Sequence, residues 1–284
     1  MKKELFIERV LLFLALSSIG SLVTITVFIF WEGIPLIAFT GLKNFLLSSH
    51  WAPTRGHFGI LAMIISSVFV TLGALVLGVP LGLACAITLA EFAPERVKTL
   101  LKPTLELLAG IPSVVYGFLG VVWLVPLIRD HLGGPGLGGP GLSLLAGSVI
   151  LGIMILPTVI SISIDALSAV PDLYRDGSIA LGATNWQTVH RVVLPAAASG
   201  IITAIILGMG RAIGETMAII MVAGNSLKIP TSILDPERTL TANIALELGY
   251  ATGRHREALF ATGIVLFIII MILNFAASAI TRRR

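Results

Sequence analysis

Six apolar stretches dominate this sequence, and each is long enough to cross a lipid bilayer as a helix, which takes about 20 residues. They lie near residues 10–31, 59–90, 104–128, 142–165, 196–224 and 257–280. The bilayer core offers no water to unpaired backbone groups, so single apolar segments of this length cross it as helices. The chain is 56% hydrophobic and only 12% charged, unlike a soluble domain. The sequence therefore predicts an all-α polytopic membrane protein with six transmembrane helices.

The first stretch follows Lys2 and Lys3, an arrangement that also begins a secretory signal peptide. Its apolar core is longer than that of a signal peptide, and no small-residue cleavage site follows before Trp31. We therefore expect an uncleaved first span. On this basis the chain divides into an N-terminal transmembrane helix with an outer loop, residues 1–57, and a helical core domain, residues 58–284.

Lysine and arginine are concentrated on the short segments at one side of the predicted spans. With the N-terminus inside, these short inner segments include residues 2–9, 96–102 and 282–284. The basic residues on the other side are spread over longer loops, which influence orientation less. The positive-inside rule then places both termini, and the loop of residues 171–195, in the cytoplasm. The net charge of +4 is explained by this bias and does not indicate nucleic-acid binding.

The segment from Asp176 to Pro195 carries the most specific pattern in the chain. It reads Asp-Gly-Ser, three residues, Gly182, nine residues, and then Val-x-Leu-Pro. Gly182 permits a sharp change of direction that a side chain would resist. Thr184 and Gln187 have the spacing of a capping box that opens a second helix, and Pro171 suits the first turn of the helix before it. The pattern predicts two short helices joined by a glycine elbow.

Such a two-helix knob could fill a cleft on another protein. Its spacing resembles the "EAA" loop, Glu-Ala-Ala-x3-Gly-x9-Ile-x-Leu-Pro, by which permease subunits of ABC importers dock on a cytoplasmic ATPase. Asp-Gly-Ser replaces Glu-Ala-Ala here, which keeps a carboxylate but weakens the first helix. The alternative is an amphipathic loop on the membrane surface. The resemblance implies these ATPase-docking residues: Asp176, Gly177, Ser178, Ala180, Leu181, Gly182, Ala183, Thr184 and Trp186.

Charged residues inside a predicted span indicate a second site. Arg211 and Glu215 lie near the centre of the fifth span, one helical turn apart. Ionised groups are costly in lipid, so these two must face the protein interior or water. An arginine in a pore selects anions, and its planar fork suits the oxygens of phosphate or sulfate. The hydroxyl of Thr216 could add a donor on the same face.

A structural role for this pair stays open, in which Arg211 and Glu215 neutralise each other and pack one helix on its neighbours. The order with the cation first is the poorer one for stabilising a helix, which favours a substrate pathway past Arg211, Glu215 and Thr216. Glu106, close to the inner end of the third predicted span, can also lie at the headgroup level.

The chain lacks the sequence motifs of ATPases, hydrolases and cysteine metal sites. The chain contains no Gly-Lys pair, so the glycine-rich residues 131–141 predict a flexible outer turn, and the chain is not itself an ATPase. The histidines fall in predicted loops, and neither HExxH nor GxSxG occurs. A single Cys85 excludes a cysteine metal cluster. We predict no catalytic residue and no metal site. The outer loop 225–256 suits either a partner outside or solvent.

Three strings carry a narrower resemblance: GIPSVVYG at 110–117, LGATNWQTVHRVVLPAA at 181–197 and GRAIGETMAIIMVAGN at 210–225. Together they resemble the PstC family, the permease subunits of phosphate ABC importers, over nearly the whole chain. The resemblance implies the type I importer fold, with an N-terminal helix before a five-helix permease domain within 58–284. It also implies that phosphate crosses the bacterial cytoplasmic (inner) membrane past Arg211 and Glu215.

The same resemblance implies the partners. In that family a second permease, PstA, completes the channel, a cytoplasmic ATPase dimer, PstB, powers it, and a phosphate-binding protein, PstS, delivers the substrate. The chain itself would bind no cofactor, because ATP and Mg²⁺ belong to the ATPase; it would contact membrane lipid and no nucleic acid. A permease for sulfate, molybdate or another oxyanion stays open, as does the sister permease PstA. A secondary carrier or a membrane enzyme is a more remote alternative.

Overall fold

The computed structural model describes residues 2–132 and 141–282, and these residues are mostly helical. In chain order the helices are α1 (Lys2–Thr40), α2 (Leu42–Leu47), α3 (Leu61–Ile87), α4 (Glu95–Ala109), α5 (Ser113–Leu119), α6 (Val125–Leu132), α7 (Leu144–Ser168), α8 (Asp172–Ala180), α9 (Asn185–Thr188), α10 (Leu194–Ala196), α11 (Ala198–Gly214), α12 (Met217–Val222), α13 (Leu240–Glu247) and α14 (Arg254–Arg282). Three π-helical turns continue α3, α5 and α9: Thr88–Phe92, Gly120–Leu124 and Val189–Val193. Two short antiparallel strands, β1 (Trp51–Ala52) and β2 (His57–Phe58), flank a 3₁₀ turn.

Within the described residues, five segments are long and apolar enough to cross a membrane: Phe6–Thr40, Leu61–Phe92, Ser113–Leu132, Leu144–Ser168 and Arg254–Ala276. A sixth crossing results if Asn185–Ala196 and Ala198–Gly214, which meet at 70°, count as one bent span. The prediction of an all-α polytopic membrane protein is confirmed. The third and fifth predicted spans, however, have the wrong bounds.

The third span does not run from 104 to 128. α4 ends at Ala109, and the crossing segment begins only at Ser113. Pro112 explains the break, because it is extended, with φ −58° and ψ 139°, and proline cannot continue a helix without losing a hydrogen bond. Glu106 therefore lies on the separate helix α4, where its side chain is exposed, and not inside the third span.

The fifth span is also interrupted. α11 ends at Gly214, Glu215 is extended, with φ −69° and ψ 134°, and α12 begins at Met217. The predicted continuous helix over 196–224 is therefore wrong. Arg211 lies on the last turn of α11, and Glu215 lies outside that helix, so the two are not one helical turn apart.

α7 is the central helix of the bundle, because both α3 and α11 pack along it. Glycine permits the closest approach: a Cβ at Gly78 of α3 would lie 2.8 Å from the carbonyl oxygen of Gly152 and 2.7 Å from Cγ1 of Ile155. α1 packs on α14 instead, with an edge-on contact of 5.5 Å between the rings of Phe28 and Phe260. The first helix is thus attached at the side of the bundle through α14.

A polar network organises the connection between α12 and α14. Glu247 on α13 accepts hydrogen bonds from the Trp51 indole at 2.9 Å and from Arg238 at 2.8 Å. His255 contacts the same carboxylate at 2.8 Å. The predicted outer loop 225–256 is therefore a folded cap that binds the β-hairpin to the bundle. Residues 133–140 of the predicted glycine-rich turn lie outside the described residues.

Glu237 in this cap is fully buried, and among the described residues neither of its carboxyl oxygens has a hydrogen-bond partner. Its backbone N–H donates to the Ala223 carbonyl at 2.8 Å, which fixes the segment against the end of α12. Burial raises the pKa of Glu237 to about 8, although the nearby Ser66 hydroxyl opposes the rise. The side chain is therefore protonated and neutral at neutral pH.

This burial predicts a pH-dependent stability. Unfolding lets Glu237 release its proton at any pH above its ordinary pKa of 4.5, so the folded state loses stability as pH rises from there to about 8 and no further beyond it. We expect the melting temperature of the detergent-purified protein to fall over this range, and Glu237→Gln to flatten the profile. Asp235→Asn is the control, since backbone and hydroxyl donors lower the pKa of Asp235. An unchanged slope in Glu237→Gln would contradict the assignment.

Candidate functional site

The loop between α7 and α11 has the predicted shape of two short helices joined by an elbow. α8 precedes the elbow and α9 follows it. Gly182 has φ +87°, in the left-handed region that favours glycine, and a Cβ there would meet nothing within 4 Å. Backbone conformation, and not crowding, therefore requires glycine at this elbow, as the sequence predicted.

The predicted capping box is also confirmed. The Thr184 hydroxyl accepts from the Gln187 backbone N–H at 3.3 Å, and the Gln187 side chain accepts from the Thr184 N–H at 2.9 Å. The Thr188 hydroxyl donates to the Ser178 hydroxyl at 2.9 Å, which links the two helices. Local hydrogen bonds thus fix the shape of the knob formed by residues 172–188.

The knob presents apolar side chains to its surroundings. Leu181 at the tip is 91% exposed and Trp186 is 60% exposed. Trp186 nevertheless has a fixed position, because its ring stacks on His190 at 6.2 Å and on Phe92 at 6.4 Å. Of the predicted docking residues, Ser178 and Ala183 are half-buried and these are exposed: Asp176, Gly177, Ala180, Leu181, Gly182, Thr184 and Trp186.

The contact that anchors the knob was not predicted from the sequence. Arg175 of α8 forms a two-pronged ion pair with Glu91, through Nη2 at 2.7 Å and Nε at 3.1 Å. The same guanidinium donates to the carbonyls of Val170 at 2.6 Å and Leu167 at 2.9 Å. Glu91 raises the pKa of Arg175 above its usual value. One side chain therefore connects α8 to the ends of α3 and α7.

Arg211 lies half-buried near the end of α11. Its Nη2 donates to the carbonyl of Ala109 over 3.5 Å, and its buried Nε has no hydrogen-bond partner in the part of the chain that the structure describes. The Tyr116 hydroxyl donates to the neighbouring carbonyl of Leu108 at 2.9 Å. Both carbonyls belong to the last turn of α4, where the helix dipole is negative. Arg211 is thus positioned by a weak interaction with the carbonyl end of α4. Its guanidinium still has N–H donors that could bind a ligand.

Glu215 does not pair with Arg211, which argues against the alternative that the two neutralise each other: the ion pairs within 4.0 Å among the described residues do not include these two. Its carboxylate accepts from the Ala218 backbone N–H at 3.1 Å, at the start of α12. Its carbonyl accepts from the Thr241 hydroxyl at 2.9 Å. Thr216 donates to the Gly214 carbonyl at 3.2 Å. Glu215 and Thr216 therefore stabilise the break between α11 and α12.

Two helix breaks meet at Arg211. α4 stops at Ala109, whose carbonyl faces the guanidinium, and α11 stops three residues after Arg211. Interrupted backbone at membrane depth occurs where protein buries it or where it lines a polar cavity. A guanidinium at such a junction can bind an oxyanion through charge-assisted hydrogen bonds. The sequence analysis predicted Arg211 as a pathway residue, but it did not predict that α4 ends beside it.

The chain matches the model of one protein family over residues 78–284, described as "Binding-protein-dependent transport system inner membrane component". Among curated relatives, the probable ABC transporter permease protein YqgH of Bacillus subtilis is 42% identical over 275 residues, 93% of this chain and 87% of the relative. The phosphate transport system permease protein PstC of Haemophilus influenzae is 35% identical over 268 residues, 89% of this chain and 84% of the relative.

Solved structures share the fold at lower identity. A bacterial ABC transporter that imports the acidic polysaccharide alginate aligns with a TM-score of 0.61 at 17% identity, over 95% of both chains. The MetNI methionine ABC transporter in an inward-facing conformation aligns with a TM-score of 0.56 at 20% identity, over 81% of this chain and 95% of the other. At these identities the likeness describes the architecture.

Proposed function

The chain belongs to the family of binding-protein-dependent transport system inner membrane components, and we propose that it is the permease subunit of an ATP-driven phosphate importer. The observation that carries this proposal is the knob with its glycine elbow, on which the apolar side chains of Leu181 and Trp186 stay largely exposed among the described residues. Relatives that are named phosphate permeases and resemble most of this chain support phosphate as the substrate.

The knob is the docking element for a separate ATPase. Leu181 and Trp186 expose large apolar surfaces on a loop whose hydrogen bonds fix it in one shape, so docking costs little ordering entropy. The bias of basic residues toward the inner segments places this loop and both termini in the cytoplasm. An ATPase dimer there would hold ATP and Mg²⁺, and this chain would hydrolyse nothing itself.

Phosphate passes the junction of the two helix breaks. Arg211 supplies charge compensation, which lowers the barrier to moving an oxyanion through a low-dielectric passage. Glu215 and Thr216 stabilise the break beside it while the passage is empty, because the Thr216 hydroxyl donates to the Gly214 carbonyl and the Glu215 carboxylate accepts from the Ala218 N–H. A second permease completes the channel, and a binding protein delivers phosphate to the folded cap of residues 225–256.

The elbow provides a matched test of docking. Gly182→Ala forces a side chain into a left-handed conformation at a cost of about 1–2 kcal/mol, so we expect ATPase co-purification and phosphate uptake to fall several-fold. Gly20→Ala is the control, because Gly20 lies within α1, outside the knob, and a Cβ there also meets nothing within 4 Å. Alanine stabilises a helix relative to glycine, so the control should retain uptake.

Equal uptake by the Gly182→Ala and Gly20→Ala proteins would contradict the docking role of the elbow. Membrane yield and monodispersity, measured for both variants, separate this result from a failure to fold.

Substrate passage is tested by Arg211→Gln in vesicles that contain the complete transporter. The loss of one charge-assisted contact, worth about 1.5–3 kcal/mol, should lower phosphate uptake at least tenfold while the ATPase still co-purifies. Arg129→Gln is the control, since Arg129 is exposed and pairs with its neighbour Asp130. Uptake by Arg211→Gln at the wild-type rate would remove Arg211 from the pathway. Sulfate uptake that exceeds phosphate uptake in the wild-type protein would favour the alternative oxyanion.

A further inference from the structure

We propose that Arg175 and Glu91 form a mechanical clamp that transmits movement of the docked knob to the helices beside Arg211. This inference rests on the proposed function, because it assigns the step between ATPase docking and the opening of the substrate passage. Arg175 is a positioning residue in this account and need not touch either the ATPase or phosphate.

The clamp gathers three elements on one guanidinium. Its two prongs hold both oxygens of Glu91 at 2.7 and 3.1 Å, at the π-helical end of α3. It also donates to the carbonyls of Leu167 and Val170 at the end of α7, at 2.9 and 2.6 Å, and to the Asp172 carboxylate of its own helix at 3.2 Å. Because the planar fork fixes the direction of every bond, α8 cannot rotate without pulling on α3 and α7.

Burial distinguishes this pair from an ordinary surface ion pair. The Arg175 side chain is 19% exposed and that of Glu91 is 8% exposed. A buried ion pair contributes little net stability in comparison with apolar residues of the same size, so stability alone is a weak reason for placing one here. Its directional bonds instead fix the geometry between the knob and the bundle.

A second contact reinforces the connection to the end of α3. Phe92, next to Glu91, stacks on Trp186 with ring centroids 6.4 Å apart. Trp186 belongs to α9, on the other side of the Gly182 elbow. Both helices of the knob therefore contact the same turn of α3, so the knob and this turn would move as one unit.

Packing of α7 against α11 would transmit the movement from the knob to Arg211. Val159 of α7 lies between two glycines: a Cβ at Gly82 of α3 would be 2.9 Å from its Cγ1, and a Cβ at Gly208 of α11 would be 3.0 Å from its Cγ2. Gly208 precedes Arg211 by three residues, about one helical turn. With no space at either contact, a shift of α7 must displace α11 and change the position of Arg211 relative to the end of α4.

The test measures phosphate transported per ATP hydrolysed in vesicles that contain the complete transporter and its binding protein. Arg175→Lys keeps the charge beside Glu91 but cannot hold Glu91 and both α7 carbonyls at once. Glu91→Gln keeps the shape and removes the charge. We expect both variants to fold, to co-purify with the ATPase and to hydrolyse ATP, while transport per ATP falls by roughly tenfold.

Asp165→Asn is the matched control. It breaks another ion pair at the inner end of α7, Lys102–Asp165 at 3.3 Å, in which both side chains are more than half exposed. Exposed pairs contribute little, so its transport per ATP should stay within about twofold of the wild type.

Each outcome has a distinct meaning. Wild-type transport per ATP in Arg175→Lys and Glu91→Gln would refute the clamp and leave the proposed function intact. Loss of ATPase co-purification in these variants would also refute it, because the pair would then only shape the docking surface. Failure of the wild-type chain to recruit an ATPase would refute the proposed function itself.

Discussion

Backbone groups find no water in the core of a bilayer, and this constraint shapes every long element of the chain. α7 satisfies its groups within one helix, whereas the predicted third and fifth spans are interrupted at residues 110–112 and 215–216. The side chains beside the breaks satisfy the helix ends that result. Arg211 faces the carbonyl end of α4 at 3.5 Å, and Glu215 accepts the N–H of Ala218 at the start of α12. The passage that we propose lies where these two helix ends, and the side chains that satisfy them, come together.

Arg175 and Arg211 differ in how many of their guanidinium N–H donors are hydrogen-bonded, and this difference suits them to different roles. Arg175 donates to the carboxylates of Glu91 and Asp172 and to two helix-end carbonyls, so it holds three elements in a fixed arrangement. Arg211 has one long contact and an unpartnered Nε, so an entering oxyanion gains bonds there without breaking strong ones. The first arginine suits the transmission of force and the second suits transient binding. α7, which packs against both α3 and α11, lies between them.

Features that depend on neighbouring residues were predictable from the sequence. The Gly182 elbow and the Thr184–Gln187 capping box follow from spacing alone, and both are present. The helix breaks were missed because apolar length was counted without regard to local breakers, although Pro112 signalled the first of them. The Arg175–Glu91 pair joins positions 84 residues apart, and the burial of Glu237 depends on packing against other elements. Such long-range features require the folded chain.

The central claim is that the knob faces the cytoplasm and docks an ATPase, and labelling of one position tests it most directly. A Leu181→Cys variant is placed in a Cys85→Ser background, because the native cysteine is also exposed. In inside-out vesicles a membrane-impermeant thiol reagent should label position 181, and bound ATPase should protect it. Arg254→Cys, on the predicted outer side, should stay unlabelled in the same vesicles. Labelling of position 254 but not 181 would reverse the orientation, and labelling of 181 that the ATPase does not reduce would contradict docking.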